Sequence, residues 1–266
     1  MIVRWLAGLR ARRENAALKR RAIPDDLWKR TLVRYPFLQR RDEADGHELR
    51  RLSSLFLDRK EFTPAGGLRL SNAMVVAIAA QAVLPVLRLG LDRYDGFVGI
   101  VVHPGQVVAR REHTDEDGLV HAYDEVLSGE AMEGGPVMLS WQDVRSAGQT
   151  APQAYNVVIH EFAHVLDMAD GAANGVPLLP PDCPREDWVS TLQREHQALC
   201  EALEAGRETS LDPYGAQGPE EFFAVASEAF FVSAQALRGE HPDLYAMLAR
   251  FYRQDPAQEQ PAPRRS

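Results

Sequence analysis

Cysteine is nearly absent: Cys183 and Cys200 are the only two in 266 residues, and they lack the C-x-x-C spacing of a zinc ribbon or a redox pair. A disulfide framework is thereby excluded, and two free thiols fit a reducing compartment. Long apolar runs are also missing. The longest, residues 73–87, contains Gln81 and Pro85 and is followed by Arg88, so it reads as a buried helix and not as a bilayer span. No convincing secretory signal opens the chain, because the apolar stretch 2–9 is interrupted by Arg4 and is short. The expected location is the cytoplasm. Excess positive charge is lacking too: 30 Lys and Arg against 38 Asp and Glu leave a formal net charge of −8, which argues against a general nucleic-acid-binding surface.

What is present is an average globular composition, 45% hydrophobic and 26% charged, enough for a sizeable core. Residues 1–23 carry Arg4, Arg10, Arg12, Arg13, Lys19, Arg20 and Arg21 against Glu14 alone, and are expected to form a basic, flexible N-terminal segment. Residues 24–254 read as a single domain, with N-terminal helices and a sheet over 24–151 and a helical metal-binding half over 152–254. The tail 255–266, rich in Pro and Gln, is expected to be disordered. Helices are expected over 45–60, from a Ser71 or Asn72 cap to near Gly90, and over 186–205, 220–237 and 242–252. Strand character over 97–103, 119–126 and 136–141 makes a small sheet, with 136–140 the candidate edge for holding an extended substrate.

The stretch 156–167 departs from the generic. His160 and His164, four residues apart, bracket Glu161 within Val157, Val158, Ile159, Phe162, Ala163, Val165 and Leu166. On a helix this spacing presents both imidazoles to one ion, with the glutamate beside them. The pattern H-E-x-x-H suits a zinc hydrolase in which Glu161 takes a proton from the attacking water. Composition alone predicts roughly 0.02 such matches in a chain of this kind, so chance is disfavoured.

A catalytic zinc takes three protein ligands, and the third is open on this reading. Asp167 and Asp170 follow the motif, but the glycine that would turn the chain back to the metal is missing. Glu220, Glu221 and Glu228 stand in a later aromatic-rich stretch. Glu221 and Glu228 lie seven residues apart, about 10.5 Å along a helix, so they cannot both bind one ion. The remaining histidines have no partner at ligand spacing.

His160-Glu-Phe-Ala-His164 with Leu166-Asp167, Tyr214 and the run from Glu221 through Phe231 resembles the Mlc titration factor A family of zinc peptidases. The likeness includes Gly67-Leu-Arg-Leu70, Leu127-Ser-Gly-Glu130 and Gly135-Pro-Val-Met-Leu-Ser-Trp141, and covers roughly residues 35–255. In its metal region this family is similar to lethal-factor-type gluzincin metallopeptidases, where a tyrosine precedes the ligand glutamate by seven residues. The resemblance implies an α+β fold, a mostly helical zincin-type metallopeptidase with a small mixed sheet before the H-E-x-x-H helix. It implies one zinc ion per chain held by His160, His164 and Glu221, with Glu161 as general base and Tyr214 stabilising the oxyanion or assisting the leaving group. Glu228 and Asp167 become candidates for fixing an imidazole tautomer. The implied activity is that of an aminopeptidase acting on peptide or protein substrates, linked to regulation of glucose uptake through a transcriptional repressor of the Mlc type. The alternative is a regulatory binding protein that sequesters a transcription factor, with little peptidase activity of its own.

Overall fold

The computed structural model describes residues 2–114, 120–147 and 154–258, with side chains described outside 2–10, 109–114 and 120–126. Helices α1 (Ile2–Arg20), α2 (Asp25–Arg34) and α3 (Glu43–Arg59) lead into strand β1 (Glu61–Pro64) and helix α4 (Asn72–Ala82). Strands β2 (Gly99–His103), β3 (Val107–Thr114), β4 (Val120–Leu127), β5 (Gly129–Ala131) and β6 (Val137–Ser140) follow, then the short helix α5 (Trp141–Ser146). The rest is helical: α6 (Val157–Asp167), α7 (Arg185–Glu204), α8 (Pro219–Val232), α9 (Ala234–Glu240) and α10 (Pro242–Tyr252). The class is α+β, mostly helical, with one small mixed sheet.

That sheet has the order β1-β2-β6-β5, parallel from β1 to β6 and antiparallel between β6 and β5, while β3 and β4 form a separate hairpin. The expected edge at 136–140 is therefore wrong. Strand β6 lies inside the sheet because the chain turns back at 132–135, where Gly134 has φ 62° and Gly135 N–H donates to Met132 O at 3.0 Å. The three-residue β5 takes the edge, and it is too short for any alternation to announce it.

Both ends depart from expectation. Helix α1 is fixed over its second half: Ala17 is buried, Glu14 pairs with Arg51 at 3.3 Å, and Arg20 grips Asp58 with contacts of 3.0 and 3.1 Å. Arg20 and Arg21 thus meet an acid near the end of α3. At the other end, residues 259–266 lie outside the described residues, but 255–258 are tied down. Tyr245 Oη donates to Asp255 Oδ1 at 2.6 Å and accepts from Ala257 N–H at 3.0 Å, and Ala257 is buried. Helix α4 starts at its Ser71 cap but stops at Ala82, well before Gly90. Pro85 has no N–H to donate and disfavours helical backbone at Leu84, so residues 83–89 proceed as turns.

Helix α6 runs through the middle of the core. Phe162, fully buried, sits among Phe56, Tyr94 and Phe97 with ring centroids 5.6, 5.0 and 5.9 Å away. Such edge-on aromatic clusters add to the burial of their area and hold the helix in one rotation. Helix α8 packs beside α6 and buries Phe222, Phe223, Phe230 and Phe231. The expected helix over 220–237 breaks at Ser233 (φ −121°, ψ 39°), giving α8 and α9. Gly175 connects the two central helices. Its N–H donates at 2.8 Å to Asp167, the last residue of α6, and a side chain on it would collide with the Pro219 carbonyl of α8, whose carbon lies 2.9 Å away.

Candidate metal centre

Asn156 begins the construction. Its Oδ1 accepts the Ile159 N–H at 3.0 Å, capping α6, and its Nδ2 donates to Gln81 Oε1 of α4 at 2.8 Å. Its backbone N–H donates to Glu228 of α8. One buried amide thus aligns three helices at the start of the motif. One turn on, His160 and His164 present their rings side by side, with the two Nε2 atoms 3.1 Å apart.

Glu221 stands in the first turn of α8, where the helix N-terminus favours a carboxylate. Its Oε2 lies 3.0 Å from His160 Nε2 and 3.3 Å from His164 Nε2. Glu228, two turns further along α8, places Oε1 2.8 Å from the other ring nitrogen of His160, Nδ1. The two glutamates therefore meet opposite sides of one imidazole. Glu220 does not join them; its carboxylate folds back over Gly218 at the helix start. Asp170 is exposed, its Oδ1 accepting from Ala172 N–H at 3.3 Å, and it stays outside the cluster. Asp167 makes no hydrogen bond to either histidine: Oδ2 accepts from Asn174 and Gly175 at 2.9 and 2.8 Å, so it braces the following loop.

Glu161 is buried and lies against Gly129 of β5, filling the space where a side chain on Gly129 would stand: Glu161 Cγ is 2.6 Å from that position. Burial pushes the Glu161 carboxyl up to about 7, against the downward pull of the two histidines. Burial also opposes ionisation of Glu221, but its contacts with His160 and His164 outweigh that and hold it at about 2. For His160, burial works against the charged ring while Glu221 and Glu228 raise its pKa well above the ordinary value.

Tyr214 sits on the turn Pro213–Ala216, whose start is capped by Asp212 Oδ1 accepting the Tyr214 N–H at 2.9 Å. Its ring centroid lies 5.9 Å from that of His160. A cavity of about 240 Å³ opens here, lined by His160, Glu161, Tyr214, Asp212, Gly129 and Tyr155 among others. Tyr155 and Asp212 escape sequence reasoning. Neither lies in a periodic element, and only their closeness in sequence to His160 and Tyr214 draws notice.

The donor set fits a metal. Two imidazole nitrogens and one carboxylate form a triangle of 3.0, 3.1 and 3.3 Å. Tetrahedral bonds of about 2.0–2.1 Å separate donors by about 3.3 Å, close to what is found. The Glu228 carboxylate at Nδ1 calls for the ring proton there and leaves the Nε2 lone pair of His160 facing Glu221. A lone pair pointing at a carboxylate is repulsive unless a proton or a metal ion sits between them.

The model of the family described as glucose-regulated metallo-peptidase M90 matches residues 9–253. The chain belongs to this family. The M90 match encloses every residue of the site described above. Among its relatives, Mlc titration factor A of Pectobacterium atrosepticum is 37% identical over 230 residues, 84% of each chain. Mlc titration factor A of Yersinia pestis is 37% identical over 226 residues, covering 83% of this chain and 82% of the relative. M90 membership makes the chain a metallopeptidase homologue and implies a divalent metal, for which His160, His164 and Glu221 are the candidate cluster among the described residues. Among those residues no helix of this M90 chain is long and apolar enough to cross a membrane.

Proposed function

We propose that the protein is a zinc-dependent peptidase of gluzincin type on a zincin-like fold, hydrolysing peptide bonds at the site formed by His160, His164, Glu221, Glu161 and Tyr214. The observation that carries this reading is the triangle of donor atoms, with a buried carboxylate beside it and a cavity at its face. His160, His164 and Glu221 would hold the ion. When bound, zinc supplies a Lewis acid that acidifies a water molecule and polarises the scissile carbonyl.

The chain's own groups do the rest. Glu161, kept near neutral pKa by burial, takes the proton of the attacking water and delivers it to the departing amine. Tyr214 Oη donates to the oxygen that becomes anionic. Glu228 keeps the His160 proton on Nδ1, so that Nε2 stays available. The outward edge of β5, beside Glu161, supports a substrate held as an added strand.

Substitution of Glu161 by Gln tests the reading. It leaves the three donors in place, so zinc content stays near one per chain while turnover of amino-acyl amides and peptides falls about 10²-fold or more. Glu221→Ala should instead lose the metal. Turnover that survives Glu161→Gln overturns the assignment of the base.

A second reading rests on the name that the relatives carry, Mlc titration factor A. On that reading the protein sequesters a transcriptional repressor of the Mlc type in the cytoplasm and thereby affects glucose uptake. Repressor binding by wild type and Glu161→Gln alike, with no hydrolysis of any peptide in a diverse pool, favours it over catalysis. Aminopeptidase action is the form of the first reading that the family likeness supports, and release of single N-terminal residues from that pool checks it.

A further inference from the structure

A second cavity, about 530 Å³, lies at the C-terminal end of α6, lined by Phe97, Met132, Val165, Met168 and Leu178, with the charged Asp92, Arg93 and Glu133 also on its wall. Met132 and Leu178 are large apolar side chains left 45% and 44% exposed, where such groups in contiguous patches mark binding surfaces. Arg93 Nη1 donates to Leu178 O at 2.9 Å and fixes that wall.

Two elements run from the metal cavity to this one. Helix α6 contributes Val157, His160 and Glu161 to the first cavity and Val165 to the second, with Met168 immediately past its end. From Val157 to Val165 is about 12 Å at the helical rise. The segment 127–134, which contains β5, contributes Leu127, Ser128 and Gly129 to the first and Met132, Glu133 and Gly134 to the second. From Gly129 to Met132 is about 10 Å at the strand rise. The two separations are similar, and His164 lies between the cavities on the helix.

The strand between them presents its backbone outward. Ser140 N–H donates to Ser128 O at 2.7 Å, so residues 128 and 140 form a hydrogen-bonded pair across β5 and β6. Antiparallel alternation then directs Glu130 toward Met138 in the same way and turns the N–H and C=O groups of Gly129 and Ala131 away from β6, at the open edge. An extended peptide paired there, with its scissile bond near Glu161, covers the distance to the second cavity in three to four residues.

We infer that the cavity of Phe97, Met132, Val165, Met168 and Leu178 is a distal subsite for an apolar side chain of an extended peptide, three to four residues from the bond that is cut. The inference rests on the peptidase reading above and names its substrate class: peptides or unfolded segments of at least five or six residues with an apolar anchor, in preference to dipeptides and amino-acyl amides.

Met132→Glu and Leu178→Glu, both at exposed positions outside the catalytic groups, test it in the zinc-loaded full chain. Two substrates are compared: an internally quenched nonapeptide with leucine at the anchor position, and an alanyl arylamide. Each variant should lower kcat/KM for the nonapeptide about tenfold or more and leave the arylamide within about twofold, since charge replaces an apolar contact only the longer substrate makes. In wild type, a nonapeptide with glutamate at the anchor should be about tenfold poorer. Equal losses on both substrates, no loss on the nonapeptide, or a wild type that cleaves only the arylamide overturns the subsite. If wild type cleaves neither, the peptidase reading fails separately. The labelled nonapeptide is then titrated by fluorescence anisotropy: binding weakened by Met132→Glu keeps the subsite, and binding that is absent or unchanged removes it.

Discussion

Glu228 and His160 are joined at 2.8 Å from Oε1 to Nδ1, on the side of the imidazole opposite Glu221. A single ring is thereby clamped between two carboxylates of one helix, with one of them facing the donor cluster and the other turned into the core. Glu228 also accepts the backbone N–H of Asn156, so both of its oxygens are used.

Glu228→Gln supplies one carbonyl oxygen where two acceptors are needed, so either His160 or the Asn156 N–H loses its partner. Zinc affinity should fall about 10–100-fold, the range for removing a group that orients a metal-bound imidazole. Competition against a chromophoric chelator measures it, and an unchanged dissociation constant rules out the orienting role.

Gly129→Ala addresses the base without touching it. The added methyl would stand 2.6 Å from Glu161 Cγ and 2.7 Å from its carboxyl carbon, so the carboxylate must swing away. Displacement of this order costs about 10²-fold in rate. Zinc content should stay at the wild-type value, and kcat should drop; full activity in the alanine variant means that Glu161 does not act from the position beside β5.

Tyr214→Phe removes one hydroxyl from a side chain that is 39% exposed, so stability should change little. Loss of a single oxyanion donor lowers kcat about 10²–10³-fold. KM and metal content are expected to hold. A variant that keeps wild-type kcat excludes the phenol from the chemistry.

Lys60 gives a pH signature unrelated to the metal. Its ammonium is buried, donates to the carbonyls of Tyr94 and Phe97, and lies 3.7 Å from the Phe97 ring centroid. Burial lowers its pKa from 10.5 to about 8. Between those values the unfolded chain holds a proton that the folded chain has released, so this group makes stability rise with pH from about 8 to about 10.5. Its cost is present in full below 8. Urea unfolding at pH 7.5 and 10 should show the rise in wild type and a flatter profile in Lys60→Met; equal slopes in the two proteins refute it.

The parts of this site that repeat at the helical period are legible in the sequence. His160 and His164 share a face because four residues make about one turn, and the seven-residue gap means that Glu221 and Glu228 cannot hold the same ion. Spacing alone leaves open which of them faces the histidines, since that depends on how α8 is rotated by Phe222, Phe223, Phe230 and Phe231 in the core. The family likeness points to Glu221, and the donor triangle contains it. Strand β5 is beyond reach, with three residues that alternate too briefly to register. Asp167 makes no hydrogen bond to an imidazole and turns one oxygen, Oδ2, to the backbone of Asn174 and Gly175, contacts that depend on a loop conformation and leave no trace in composition.

Gly175 holds the separation between α6 and α8 through a backbone contact on one side and a missing side chain on the other. Two of the three donors ride on the first helix and one on the second. Metal affinity at this candidate cluster is thereby expected to gauge helix spacing: a residue that wedges the joint open at Gly175 should be read out as weaker metal binding, even though it touches none of the donors.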